Sequence, residues 1–238
     1  MGLRNKRSRG RPRREEADAL RAQVWLLAVE KASGKRADAL EAKFRALSDE
    51  KRTAGLWHKY ARGEVTPKPA LIDAVEQTYP GTAWWFHHPL WRLLRAEPIT
   101  FAEVKESFFC LAAETRQFLV IEEKRGQFFW RVQEDVANTW KALMQLEQGM
   151  EVLCAFILLV QESEFRQDAN QFKKLGLAAW VAIRDRLATE WPFCEMPDNQ
   201  NSIFLAIFTI LSDRWTLIIQ ANQDLLGAPG EESVPETP

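Results

Sequence analysis

Between Lys6 and Arg14 the chain reads Lys-Arg-Ser-Arg-Gly-Arg-Pro-Arg-Arg, six cations and no acid in nine residues. At this density such side chains suit one task, neutralising a polyanion with release of its counterions and a steep dependence on salt. The glycine and proline at the centre add shape. Gly10 has no side chain to hold the backbone off a surface, and Pro12 fixes its own φ and biases Arg11 towards extended geometry. The segment can therefore lie flat along a narrow groove with Arg9 and Arg11 pointing into it. The minor groove of A·T-rich double-stranded DNA has that form and a potential that draws inserted arginines. Lys6, Arg7, Arg9, Gly10, Arg11, Pro12, Arg13 and Arg14 are thus the first candidate DNA-binding residues. A solvated basic tail would instead bind any polyanion, or nothing, and preference for A·T over G·C duplex separates the readings.

The nine residues resemble the AT-hook, whose core is Arg-Gly-Arg-Pro; Ser8 stands where that family usually has proline. Similar basic arms precede many bacterial helix-turn-helix regulators. A second stretch, Leu56-Trp57-His58-Lys59-Tyr60-Ala61-Arg62-Gly63-Glu64-Val65-Thr66-Pro67, resembles the lambda-repressor/Cro-like helix-turn-helix family. In that family the recognition helix ends in an aromatic, two further residues and a glycine, with a proline four residues later; Tyr60, Gly63 and Pro67 match. Leu71, Ala74 and Val75 fit the following helix. The resemblance implies that His58, Lys59 and Arg62 lie off the core, with Arg52 and Thr53 approaching the duplex from the helix N-terminal side. One departure stands out. The preceding helix, with Leu40 and Phe44, is separated from this one by Arg45–Thr53, where the family has a tight turn.

Other chemistry is thinly represented. His58, His87 and His88 are the only histidines, so residues 89–238 cannot supply a Glu-x-x-His metal helix. No phosphate-cradling glycine loop, Gly-x-Ser-x-Gly elbow or Cys-His nucleophile pattern is visible. Glu103, Glu106, Glu122, Glu123, Glu134 and Asp135 fall mostly on polar faces, as solvated helix surface does. No catalytic residue, metal or cofactor is expected. Cys110, Cys154 and Cys194 are odd in number and far apart, a poor disulfide framework that points to a reducing cytoplasm. No signal peptide is expected, because no apolar run follows the basic N-terminus. The longest apolar runs, Val152–Val160 and Ile203–Leu211, are about half the length that crosses a bilayer. No membrane partner is expected.

The elements that must position the candidates read as helical from Glu15 onward. Leu20, Val24, Leu27 and Ala28 share one face of a first helix ended by Ser33-Gly34. A second runs near Ala37–Leu47, a third near Ala54–Arg62 stopping at Gly63, and a fourth over Ala70–Thr78 before Tyr79-Pro80-Gly81. Four long helices come next, at about 100–123, 131–163, 168–189 and 202–225, with Thr100 and Glu103 forming a capping box. Trp84, Trp85 and Trp91 are expected to clamp the front helices against these four. The runs Val152–Val160 and Ile203–Leu211 are apolar all round and should be central. The fold class is all-α, a small helix-turn-helix-like domain followed by an antiparallel helical bundle.

Charge divides along the same line. Residues 1–95 carry 20 Lys and Arg against 11 Asp and Glu, whereas residues 96–238 carry 12 against 22. The organisation expected is a disordered basic arm at 1–14, a helical DNA-binding domain at 15–95, an acidic bundle at 96–226 and a disordered tail at 227–238. The expected partners are A·T-rich double-stranded DNA, a second copy of the chain as a homodimer, and a protein partner through the bundle. The competing expectation is a helical interaction or assembly protein, from a mobile element, whose basic terminus is incidental.

Overall fold

A computed structural model describes residues 14–45, 55–121, 130–131, 136–147, 149–182, 191–192 and 203–221. Among the described residues the regular elements are helical apart from one short antiparallel strand pair, as the sequence pattern predicts. The front half holds α1 (Glu16–Ser33), α2 (Ala37–Lys43), α3 (Leu56–Ala61), α4 (Pro69–Thr78), α5 (Thr82–His87) and α6 (Leu90–Leu93). The rear half holds α7 (Phe101–Phe109), α8 (Ala113–Arg116), β1 (Val120–Ile121), β2 (Trp130–Arg131), α9 (Val136–Met144), α10 (Gly149–Phe165), α11 (Ala169–Ala182) and α12 (Ile203–Ala221).

Glycine sets several of the helix ends. Gly34 takes φ 64° and returns its N–H to the carbonyl of Glu30, closing α1 in the left-handed conformation that residues with a Cβ avoid. Gly63 does the same after α3 at φ 66° and has a second reason to lack a side chain. A Cβ there would lie 2.9 Å from the Ala19 Cβ and 3.1 Å from its carbonyl oxygen, so the turn rests directly on α1. Thr100 and Glu103 form the expected capping box, with Glu103 N–H donating to Thr100 Oγ1 at 3.2 Å and Thr100 N–H to Glu103 Oε2 at 2.7 Å.

Two apolar cores form, and α1 belongs to both. Leu20 and Val24 face the larger core with Trp91, Val104, Phe108 and, from α10, Met150 and Val152–Val160. Trp25 and Val29 face the smaller one with Leu40, Trp57, Tyr60, Ile72, Val75 and Phe86. Instead of one apolar face, α1 therefore presents apolar residues to neighbours on several sides. The aromatic stretch after Gly81 straddles the same divide: Phe86 enters the smaller core, while Trp91 enters the larger and Trp85 packs against it. Trp84 departs from the expected clamp and stays at the surface.

The rear half differs from the predicted four long helices in three places. The helix expected over 100–123 stops at Phe109, because the Ala112 N–H bonds the Glu151 carboxylate at 3.0 Å instead of continuing the helical ladder. Arg116 reaches back to the Phe109 carbonyl at 3.0 Å. The helix expected over 131–163 is divided between α9 and α10, with Gly149, a poor interior helix residue, starting the second piece. The run Ile203–Leu211 is not central. Ile203, Ile207 and Leu211 bury one face of α12, and Leu205 is exposed. By contrast α10 is buried throughout Gly149–Ser163, as its apolar run predicts. A short connection, Arg166–Asp168, folds α11 back along α10. No helix among the described residues is long and apolar enough to cross a membrane.

Candidate nucleic-acid interface

Arg14 is the first described residue of the basic stretch, and it turns inward. Its guanidinium donates to the Gly63 carbonyl, to the Asp18 carbonyl at 2.8 Å and to Thr66 Oγ1 at 2.6 Å. The root of the arm is thus fixed beside the loop that leaves α3. Two candidate elements separated by about 50 residues in sequence share one edge of the fold. Arg14 itself acts as an anchor for the arm. Lys6, Arg7, Arg9, Gly10, Arg11, Pro12, Arg13, Arg52 and Thr53 lie outside the described residues.

The α3 helix has only six residues, held from below by aromatics. Trp57 and Tyr60 are buried, Trp57 stacking between Trp25 and Phe44 with centroids 5.7 Å from each. Burial, helped by the Glu41 charge, pushes the Tyr60 phenol up to about 12. Gln23 ties α1 to the end of α3 by donating to the Ala61 carbonyl at 3.2 Å. At the other end Glu41 of α2 accepts the N–H groups of Gly55 at 2.8 Å and Trp57 at 3.3 Å. An acid at a helix N-terminus satisfies donors that have no partner within the helix. Glu41 thereby docks α2 against α3 across the long intervening segment, where the helix-turn-helix family uses a tight turn.

His58, Lys59 and Arg62 lie off the core, as the resemblance implies, but two of the three already have acids. His58 Nε2 is 2.7 Å from Asp38 Oδ1, and Arg62 Nε is 2.5 Å from Glu64 Oε1. The hydrogen bond and charge of Glu64 hold the Arg62 guanidinium above its ordinary range. For phosphate to reach His58 Nε2 or the paired edge of Arg62, it must displace these carboxylates. The described part of residues 1–95 has 12 cations and 9 acids, whereas Met1–Arg13 has 6 cations and no acid. Most of the positive excess of the front half therefore belongs to the arm.

A second polar site escapes the pattern of the sequence. His88, between α5 and α6, donates from Nε2 to Glu151 Oε1 of α10 at 3.2 Å, and its Nδ1 accepts the Leu90 N–H at 3.2 Å. Both side chains are shut off from solvent, at 0% and 1% exposure. Burial outweighs the attraction of Glu151 and holds the His88 imidazole below its ordinary range. The other Glu151 oxygen takes the Ala112 N–H, so one carboxylate joins three segments. The neighbouring Cys154 thiol is pushed well up, first by burial and then by the Glu151 charge, which leaves it protonated and inert as a nucleophile. This arrangement holds the fold and has no access for a substrate. The only available signal was an acid directly ahead of a nine-residue apolar run, a group that needs a partner when buried. No group of three or more potential metal ligands gathers among the described residues.

A concavity with a volume of about 800 Å³ opens where the arm enters the fold, between the start of α1, the α6–α7 connection, the end of α10 and α12. Its floor includes Leu94, Ile99 and Ile210; Glu15, Glu16, Glu164 and Asp213 stand in its wall. Set against known protein families, curated proteins and solved structures, the chain matches none of them.

Proposed function

We propose that the protein is a non-enzymatic DNA-binding protein of transcriptional-regulator type, working on A·T-rich duplex in the cytoplasm as part of the nucleoid. In this reading Arg9 and Arg11, with Lys6, Arg7 and Arg13 beside them, enter the minor groove. The α3 edge, with His58, Lys59 and Arg62 preceded by Arg52 and Thr53, meets phosphates or base edges next to it. The observation that carries the reading is the anchoring of Arg14 on Gly63 and Thr66, which starts a cation-dense arm at the C-terminal end of the helix that resembles a recognition helix. An arm in one groove beside a helix in another adds affinity without enlarging the fold. Because His58 and Arg62 are paired with acids, most of the affinity comes from the arm.

The acidic half serves as the homodimer or partner surface, its charge keeping it off the duplex. Phe109 and Leu205, 49% and 42% exposed, supply apolar contact there. The test is a fluorescence-anisotropy titration of the full chain on A·T-rich and G·C-rich duplexes over a range of salt. Log Kd against log salt should have a slope of roughly 4.5 from the five cations Lys6, Arg7, Arg9, Arg11 and Arg13, and the R9A/R11A variant should lose about 2 of it. Equal affinity for both duplexes would reduce the arm to a general polyanion binder, and no binding in dilute buffer would end the reading.

A further inference from the structure

We propose that the acidic cavity beside α1 is the intramolecular dock of the arm, so that residues Lys6–Arg13 exchange between this cavity and duplex; the exchange half of the proposal rests on the DNA-binding reading. The cavity walls place four carboxylates, Glu15, Glu16, Glu164 and Asp213, around an apolar floor. Arg214, the one cation of the lining, donates to the carbonyl oxygens of Leu93 and Arg95, and its charge also acts on Glu164 and Glu15. Glu15 accepts the Ala96 N–H at 3.3 Å, a weak bond at an exposed position. Four carboxylates against one guanidinium leave the lining with an acidic excess, greatest at Glu16 and Asp213, which have no cation beside them among the described contacts.

The thirteen residues Met1–Arg13 lie outside the described structure, and their chain joins it at the lip of this cavity, since Arg14 is followed directly by Glu15 and Glu16. Eight residues from Lys6 to Arg13 extend to about 26 Å, so a chain that starts at Glu15 has the reach to follow the lining. Arginine suits both parts of the lining. Its methylene stem lies along apolar surface while its planar head takes a carboxylate in a two-pronged hydrogen bond. A covalently tethered segment meets its dock at an effective concentration in the millimolar range, so individually modest pairs suffice. The same guanidiniums cannot face carboxylates and phosphates together, so docking and duplex binding exclude each other.

The experiment is carbodiimide crosslinking of the full chain, read by mass spectrometry, with and without a saturating A·T-rich duplex. Lys6 is the one lysine of residues 1–13 and reports where the arm lies. Without duplex it should form an amide with Glu16, Glu164 or Asp213, and duplex should remove that product. In parallel, the E16Q/E164Q/D213N variant should bind duplex about fivefold tighter or more, a gain that disappears in the R9A/R11A background. Lys6 crosslinks found elsewhere, or not at all, overturn the dock. A cavity crosslink that duplex leaves intact keeps the dock and overturns the exchange. A gain that persists without Arg9 and Arg11 assigns the effect to general repulsion and overturns the competition. A chain that ignores duplex refutes the DNA-binding reading alone, because the crosslink in its absence still decides the dock.

Discussion

Gly63→Ala tests the packing that brings the arm root to the α3 edge. At φ 66° an L-residue sits in the left-handed region, at a cost of about 1–2 kcal/mol. The added Cβ would also lie 2.9 Å from the Ala19 Cβ, 3.1 Å from its carbonyl oxygen and 3.2 Å from its Cα. Two of these three atoms are backbone of a helix built into both cores, so the clash cannot be relieved by a rotamer change. Overpacking of this kind costs roughly 1–3 kcal/mol further, giving about 2–5 kcal/mol in all. Gly34→Ala is the control. Its φ is 64° with nothing within 4 Å of the would-be Cβ, so it should lose only the conformational part. Urea denaturation followed by circular dichroism should separate the two variants by about 1–3 kcal/mol, and thermal melts by roughly 2–12 °C. Because the Gly63 carbonyl also accepts from Arg14, the variant should in addition weaken duplex binding. Equal stabilities for the two variants would refute the close approach of this turn to α1.

The buried imidazole predicts a pH dependence with a definite sign. Folded His88 sits below its ordinary value, so between that lowered value and about 6.5 the unfolded chain holds a proton that the folded chain does not. Stability is then fully present above pH 6.5 and declines as pH falls, by at most about 1.4 kcal/mol per unit from this group. Urea midpoints at pH 7 and pH 5 should differ less in H88Q than in the parent, and an unchanged difference would mean that His88 does not titrate this way. Thr100→Ala removes the hydroxyl half of the capping box and should cost about 0.5–2 kcal/mol in the same denaturation assay, with Thr100→Ser largely restoring it.

Local signals in the sequence located local structure well. Ser33-Gly34 ends α1, Gly63 follows α3, Tyr79-Pro80-Gly81 closes α4, and Thr100 with Glu103 starts α7, because each depends on backbone preferences within a few residues. The features that escaped are set by partners distant in sequence. The end of α7 depends on Glu151, 39 residues beyond Ala112, and the His88–Glu151 bond spans 63 residues. Periodicity assigns α1 one apolar face because it counts apolar positions and cannot see how many neighbours surround a helix. In sequence the basic stretch is one unit, and nothing in it marks Arg14 as a residue that turns inward. Only the fold shows that the Gly63 and Thr66 oxygens wait for its guanidinium. Likewise, no pattern marks Glu41 as the group that holds α3 in place of a tight turn.

The double membership of α1 limits how this protein can be recombined. A chimaera that grafts residues 15–95 onto a foreign helical body would leave Leu20 and Val24 facing a surface not shaped for them. The reciprocal graft would deprive the long central helix of one of its walls. The two halves differ in charge, but they are not exchangeable cassettes, because this one helix is fitted to both sides.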